Sequence, residues 1–476
     1  MQETIPSFAV VGAGDRGTGY AAYTEAACRR AAGLPEGPGA RVAAVAEPDP
    51  VRRERFADRF GLPASARFPG WKELFAGPRL AEGVVIATRD GEHVEPALAA
   101  LEAGYAVLLE KPMALSEEDC RRLAAASEAA GLPLLVCHVL RYHPFFKAVR
   151  GLVEEGAIGD LVSVRQAENV SYWHMAHSYV RGNWRDASAS PMILAKCCHD
   201  LDLLCWMAGP SARGAAAADG ASSARGCAAK PLRVASFGSN LEFRPERAPA
   251  GSPQRCVEGC PASAACPYDA VALYLRGKPV FLDAAAGNDR LAALAARLLA
   301  ERPGLARLLP GLRRYLPYRD WPVSTIAEDL SEAGLERALR EGPYGLCAYK
   351  AGGSQPDHQE TIVEFEGGAT AFLAMHGHSY KEGRTLRLDG TRGTIRGSFG
   401  GGGALELRDH KTGRRRLVRA KSDLVGHRSA DMALMAAFVG VLSGGEAPTT
   451  AAESLASHRL AFAADLARRE GRVVEL

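Results

Sequence analysis

The sequence predicts an α/β protein: an N-terminal doubly wound domain, then an α+β domain on an open, mainly antiparallel sheet. Three observations carry this. Short apolar runs alternate with amphipathic helical segments over the first ~140 residues. The first apolar run empties directly into a glycine-rich turn. Late in the chain, "QETIVEFEGGATAFLAMHGHS" and "TLRLDGTRGTIRGSF" alternate apolar and polar residues as half-buried strands do. The expected division is 1–140 for the first domain and 141–476 for the second, which carries a cysteine-containing helical insertion at about 241–345.

The elements follow in order. "FAVVGAGDRGTGYAAYTEAA" reads as strand, turn and helix. Gly12, Gly14 and Gly17 fit G-x-G-x-x-G, with Asp15 and Arg16 inside the motif. Such a turn lets backbone amides at a helix N-terminus approach a pyrophosphate. The next strand, "RVAAVAEPDP", ends in Glu47, where a carboxylate can hydrogen-bond a ribose hydroxyl. Glu47 lies 30 residues beyond Gly17, the loop "GLPEGPGA" lengthening the usual spacing of about 20. Pro48 and Asp49 follow it, with no adjoining arginine for a 2′-phosphate, so NAD is expected over NADP; Arg52 and Arg53 stand a few residues on.

"GVVIATRDGEH" is a strand with a polar exit, "VEPALAALEAG" an amphipathic helix and "YAVLLEKP" the strand after it. "SEEDCRRLAAASEAAG" opens on a capping box, and "LPLLVCHVLRYHP" is the last strand-like element of the domain. Proline pushes the residue before it toward extended backbone, so Lys111 cannot start a helix and must project from the strand end. In α/β sheets that end is where ligands bind.

With 476 residues, 47% of them hydrophobic, the chain can build two cores. A net charge of +3 points to neither nucleic acid nor a membrane surface. No apolar run approaches the ~18 residues of a membrane span. The start "MQETIPSFAVVGAG" shows no signal-peptide h-region, and 11 scattered cysteines read as reduced thiols or metal ligands. A cytoplasmic location is expected.

"GAGDRG", "IATRDGEHVEPALAALEAGYAVLLEKPMA" and "LRYHP" together resemble the Gfo/Idh/MocA oxidoreductases, named for glucose-fructose oxidoreductase and inositol dehydrogenase. The resemblance covers the N-terminal domain and continues in patches to the end. It implies a Rossmann domain with NAD held by the glycine turn, Glu47, Thr88, Arg89, His93 and Glu110. It places Lys111 beside both the nicotinamide and the substrate hydroxyl. An ammonium there can hold the hydroxyl or, desolvated, act as its base. The family's second landmark is Asp, then His four later, then Asp three later. In "SPMILAKCCHDLDLLCWMAG", His199 and Asp202 fit the last two positions, while Ala195 replaces the first and Lys196 and Asp200 stand alongside. His199 is thus the second catalytic candidate, lacking its usual carboxylate neighbour. "GHRSADMALMAAFVGVL" resembles a family helix, with His427 and Asp431 closing the site.

"ENVSYWHMAHSYVRGNWRD" is dense in side chains that suit carbohydrate, indole faces against C–H patches and forked donors on hydroxyls. Tyr172, Trp173, His174, His177, Tyr179, Arg181, Trp184, Arg185, Lys196 and Asp200 are the substrate-binding candidates. Cys256, Cys260 and Cys266 fall in a Gly/Pro/Ala-rich loop, spaced C-x3-C-x5-C. A structural zinc would need a fourth ligand, Cys347 first and Cys227 second; free buried thiols are the alternative. Similar segments accompany "PYG-x-C-x-Y" and "DHQ" in members of the family, here ending at Tyr349 and Gln359. The basic helical stretch within 285–345 reads as a lid or subunit contact of a dimer or tetramer.

Function follows from the resemblance: an NAD-dependent enzyme removing hydride from a sugar carbinol. One form is a redox glycoside hydrolase, which oxidises C3 transiently, eliminates, adds water and returns the hydride. A plain sugar or inositol dehydrogenase is the alternative, and a non-catalytic NAD-binding sensor a remote one.

Overall fold

The structure is a computed structural model and describes residues 5–31, 33–34, 39–209, 229–287, 289–400, 404–419 and 428–476. His427 and Cys227 lie outside the described residues.

The first sheet is parallel: β1 (Ser7–Val11), β2 (Arg41–Ala46), β3 (Arg67–Phe68), β4 (Gly83–Ile86), β5 (Ala106–Leu109) and β6 (Leu134–Val136), in the order β3-β2-β1-β4-β5-β6. Every residue of β1, β4, β5 and β6 is buried, as strands covered by helices on both faces require. Strand order reverses between β1 and β4, so a crevice opens at their carboxyl ends. The expected capping box is present: Asp119 N–H donates to Ser116 Oγ (3.1 Å) at the start of helix Glu117–Ala130. β3, two residues long, has no signal in the sequence.

The second sheet has nine strands: β7 (Leu161–Ser171), β8 (Pro231–Ser239), β9 (His358–Phe365), β10 (Thr370–Ser379), β11 (Gly383–Gly390), β12 (Gly393–Phe399), β13 (Ala404–Asp409), β14 (Arg415–Arg419) and β15 (Val474–Glu475). Only β10 and β7 run parallel; all other neighbours are antiparallel. Helices Cys198–Ala208 and Ala451–Glu470 cover one face. Helix Arg428–Leu442 returns to the first domain, burying Met432, Met435 and Phe438 in its core.

The insertion packs short helices, among them Lys278–Ala285, Arg290–Glu301 and Glu332–Glu341, around two small cores of its own. After β7 the chain turns through Tyr172–His174 into a π-helical stretch, Met175–Arg181, which the sequence does not announce. That stretch is entirely buried between the second sheet and the insertion.

Candidate active site

The glycine turn is built as its spacing implies. Gly12 has φ +92°, and a Cβ there would lie 2.5 Å from Ala87 O. A Cβ on Gly17 would lie 2.0 Å from Gly12 O, so this glycine lets helix Asp15–Ala21 close on the turn. Gly14 differs: a Cβ would meet nothing within 4 Å, because this face opens to solvent. A cleft of about 590 Å³ runs from it, lined by Asp15, Thr18, Arg52, Arg55, Arg59 and Asp431 among others. This turn and cleft fit a dinucleotide's pyrophosphate.

Glu47 sits at the expected strand end but is 4% exposed and heavily bonded. Its Oε2 accepts from Ala13 N–H (2.8 Å), and its Oε1 from Asp49 N–H (3.0 Å) and Arg52 (3.0 Å). Glu47 therefore braces the turn. Arg52, remote in sequence reasoning, meets it directly. Arg16 lies across the turn: its Nε donates to Glu110 Oε1 (2.6 Å) and its two terminal nitrogens to Asp431 (2.9 and 3.0 Å). The resemblance gave Asp431 a closing role, and this fork joins the returning helix to the turn.

Glu110 receives two more bonds, from Tyr20 OH (2.7 Å) and from Lys111 N–H (2.8 Å). Burial pushes its carboxyl up, but Arg16, Lys111 and Tyr20 outweigh it and hold the carboxyl down at about 2. With Glu110 so engaged, the Lys111 side chain is not paired with it. Lys111 Nζ reaches across to the second domain and donates to Ala195 O (2.9 Å). The Lys111–Pro112 peptide is cis. His458, from helix Ala451–Glu470, accepts from Met113 N–H (2.8 Å) and bonds Ser454 O (2.7 Å) through its other nitrogen. Both ring nitrogens are thus used to pin the lysine loop.

Ala195 ends one short helix; His199 opens the next, Cys198–Ala208, four residues on. His199 is half-buried, with the His138 ring edge-on at 5.9 Å. Asp202, one turn later, takes a forked bond from Arg141 (2.7 Å twice), both residues buried, and lies 3.7 Å from His138 Nε2. Lys111 and the His199 helix are therefore brought together by Ala195, at the position where the family pattern has a carboxylate.

The substrate candidates divide. Lys196 Nζ lies 3.2 Å from Glu168 Oε1 and 3.1 Å from Glu382 Oε1. His174 Nδ1 lies 3.1 Å from the same Glu382 oxygen. Tyr179 stands 6.0 Å from the His174 ring, half-buried Tyr172 packs instead on Tyr268 at 6.4 Å, and the exposed indole of Trp321 is edge-on to His174 at 4.9 Å. Arg185 is exposed.

Five expectations need correction. Trp173 is buried in the insertion core, its Nε1 donating to Asp283 (3.2 Å). His177 is buried, stacked on Tyr344 at 5.0 Å and bonded to Tyr274 OH (2.9 Å). Arg181, 1% exposed, donates to Leu346 O (2.7 Å) and Tyr268 O (2.6 Å). These three lie in or beside the π-helical stretch and hold the insertion in place. Asp200 is buried under Arg384 (2.8 Å) and Gln166. His93, expected at the cofactor, is buried and bonds Pro112 O (2.7 Å), stapling the lysine loop from the other side. Trp184 Nε1 donates to Asp90 (2.8 Å), joining the second domain to the turn that carries Thr88 and exposed Arg89.

Sequence reasoning missed Glu168, Glu382, Arg384 and Trp321. Glu168 is fully buried between Lys196 and Arg384 (2.6 Å). Burial raises its carboxyl against the pull of both cations. Glu382 is held low by Lys196 and His174, which outweigh its burial. A signal did exist: in β7 the inward positions read Val164, Gln166, Glu168, Val170, and two polar residues facing a core mark a built site.

Cys256, Cys260, Cys266 and Cys347 all line one small cavity between the cysteine loop and "PYGLCAY". Their thiols are free, and no group of three or more His, Cys, Asp or Glu among the described residues is placed to hold a metal ion. Asp357 of "DHQ" is buried elsewhere, bonded to Leu241 N–H (2.9 Å) and Glu242 N–H (2.7 Å).

A parallel six-stranded sheet, a glycine turn at its switch point and a lysine at the β5 exit define an NAD-binding Rossmann domain of the oxidoreductase type. Residues 7–138 match the family model described as "Oxidoreductase family, NAD-binding Rossmann fold", so this domain is similar to the Gfo/Idh/MocA oxidoreductases. The chain is 32% identical over 158 residues to trans-1,2-dihydrobenzene-1,2-diol dehydrogenase of Mus musculus, covering 33% of this chain and 46% of that protein. It is 30% identical over 172 residues to inositol 2-dehydrogenase of Pseudomonas fluorescens, 36% and 47% of the two chains. The match thus spans about half the length of these curated relatives. Solved structures share the whole fold. An oxidoreductase domain protein from Kribbella flavida aligns with a TM-score of 0.64 at 17% identity, over 99% of both chains. An oxidoreductase from Agrobacterium radiobacter, in complex with NAD+, L-tartaric acid and magnesium, aligns at 0.61 and 18%, over 99% of this chain and 98% of that one.

Proposed function

We propose that the protein is an NAD-dependent enzyme acting on a carbinol of a sugar, cyclitol or glycoside. The observation that carries this is the bridge from Lys111 to Ala195, which sets a lysine from the cofactor domain against the His199 helix of the second domain. The glycine turn would hold the pyrophosphate and Glu47 the ribose end. Bound NAD would supply the hydride acceptor. Lys111 and His199 would bind the hydroxyl and take its proton, so the chain's own task is orientation and proton movement. The exposed Trp321 indole beside His174, Tyr179 and Lys196 suits a polyhydroxylated ring.

Within this class we favour a redox glycoside hydrolase, because acid–base groups exceed what one hydride transfer needs. Lys196, Glu168, Glu382 and His174 form a second cluster of such groups in addition to Lys111 and His199. A plain dehydrogenase is the competing reading, favoured by the dehydrogenase relatives. Incubation with chromogenic glycosides and catalytic NAD in heavy water separates the two. Hydrolysis without NADH build-up, with deuterium at C2, supports the first; stoichiometric NADH with an intact glycosidic bond establishes the second.

A structural zinc on Cys256, Cys260, Cys266 and Cys347 is a subsidiary proposal. Two separate segments bringing four cysteines to one cavity support it; the thiols' failure to converge on one point stands against it. Metal analysis of freshly purified protein decides. Reduced thiols among the described residues accord with a cytoplasmic location, and no helix there is long and apolar enough to cross a membrane. A homo-oligomer remains part of the proposal, tested by light scattering.

A further inference from the structure

We propose that His174, oriented by Glu382, is the group that moves the proton between the sugar's C2 and the departing aglycone oxygen, separate from the Lys111–His199 pair that serves the oxidised hydroxyl. The inference rests on the redox glycoside hydrolase reading.

The geometry begins at the end of β7. Ser171 N–H donates to Glu382 Oε2 (2.8 Å), fixing the carboxylate just ahead of the histidine. His174 Nδ1 lies 3.1 Å from Glu382 Oε1. An ionised carboxylate only accepts, so Nδ1 carries the proton and Nε2 presents its lone pair. The ring cannot swing freely: Trp321 meets it edge-on at 4.9 Å, Trp173 stacks at 5.9 Å and Tyr179 lies at 6.0 Å. The side chain keeps 15% exposure.

Its charged and titratable neighbours come from every surrounding element. They are Glu382 on the β10–β11 connection, Lys196 after the Ala195 turn, Lys111 from the first domain and His177 in the π-helical stretch that follows. Asp283, on helix Lys278–Ala285, faces Glu382. Burial first, then Lys196 and Lys111, disfavour the imidazolium more than Glu382 favours it, leaving a neutral base. The alternatives nearby are less suited. Lys196 stays cationic because Glu382 and Glu168 outweigh its burial. His177 is committed to Tyr274, and burial drives the Tyr179 phenol upward.

The step balances. With C3 already a ketone, the C2 proton passes to Nε2 of His174. The C2–H electron pair becomes the C1–C2 double bond, the C1–O bond breaks, and the aglycone oxygen takes the proton from the imidazolium. Water then gives Nε2 a proton as its oxygen adds to C1, and C2 recovers a proton from the ring.

The test uses the full chain with NAD and an aryl glycoside in heavy water. His174→Gln keeps a partner for Glu382 but removes the base. Expected are a loss of aglycone release of about 10²-fold or more, no deuterium at C2, unchanged NAD affinity, and retained NADH formation in a single turnover. Glu382→Gln tests the positioning role. Removing the charge that favours the imidazolium should move the acidic limb of aglycone release, where the base becomes protonated, to lower pH and weaken the rate. It also decides the matter if His174→Gln fails to fold. Wild-type rates of release and C2 exchange in His174→Gln, or an unmoved pH profile in Glu382→Gln, would overturn the proposal. If instead the wild-type protein yields NADH with no C2 exchange, the hydrolase reading itself falls.

Discussion

Replacing Glu110 by Gln tests the junction between the glycine turn and Lys111, the lysine proposed to be catalytic. Glu110 is 6% exposed and accepts from Arg16 Nε (2.6 Å), Tyr20 OH (2.7 Å) and Lys111 N–H (2.8 Å). Its carboxyl is held at about 2, against an ordinary 4.5. Each unit of such a difference corresponds to ~1.4 kcal/mol, so the ionised form adds roughly 3 kcal/mol to folding. Arg16 is 45% exposed, and water reaching it lowers the expectation to roughly 2–3 kcal/mol. The sign follows from the direction of the shift. A depressed carboxyl stabilises fully above its unfolded value of 4.5, and this is lost as the pH falls toward 2. Glu110→Gln should therefore be less stable than wild type by about 2–3 kcal/mol near pH 7, with the gap narrowing steadily below about pH 4.5. Urea unfolding followed by tryptophan fluorescence at several pH values measures it. A gap under about 0.5 kcal/mol, or one that stays constant as the medium is acidified, would refute the reasoning.

Four other outcomes are expected. Lys111→Ala and His199→Ala should each lose about 10²-fold or more in turnover while binding NAD normally by calorimetry, since the glycine turn is untouched. NAD should bind about tenfold more tightly than NADP if Glu47 stands at the ribose end as proposed, and equal affinity would show that Arg52, Arg55 and Arg59 prevail. Gly14→Ala should melt like wild type yet bind NAD weakly, as its Cβ meets no protein atom within 4 Å and would point toward the pyrophosphate; normal affinity would place the cofactor elsewhere. Asp202→Ala should cost about 3–5 kcal/mol in urea unfolding, because it strands buried Arg141, whose next carboxylate is Glu453 at 3.7 Å.

The parts of this molecule that were legible in the sequence are those in which a short stretch does its work locally. A phosphate turn needs glycines at fixed offsets, and Gly12, Gly14 and Gly17 each have a distinct reason in the structure. A lysine before proline at a strand end must project, and Lys111 does. What was not legible depends on contacts between distant segments. The aromatic-rich run 172–185 looked like one binding surface, yet the π-helical stretch turns His177 and Arg181 into the interior. Their partners, Tyr274, Tyr268 and Leu346, lie 87 to 165 residues away and have no pattern that points back. Glu47 was placed correctly along the chain, but its bond to Ala13 N–H depends on how two strand ends meet.

The missing aspartate at position 195 shows how such distant contacts change the meaning of a local departure. Read along the chain, Ala195 deprives His199 of a carboxylate neighbour. In the structure its backbone carbonyl holds Lys111, and the next residue carries a cation into a pocket already holding Glu168 and Glu382. Arg384 spans Glu168 and Asp200 behind it, so three carboxylates and two cations share a largely buried space. Such a cluster is a poor way to gain stability, because desolvating five charges costs more than most pairings return, and apolar replacements of similar volume often fold as well or better. Its arrangement makes sense as support for the groups in front of it. Lys196 is kept charged, Glu382 is kept ionised, and the ionised Glu382 fixes which nitrogen of His174 bears a proton. On the proposal made above, the acid–base capacity that a carboxylate at 195 would have given to His199 resides instead at His174.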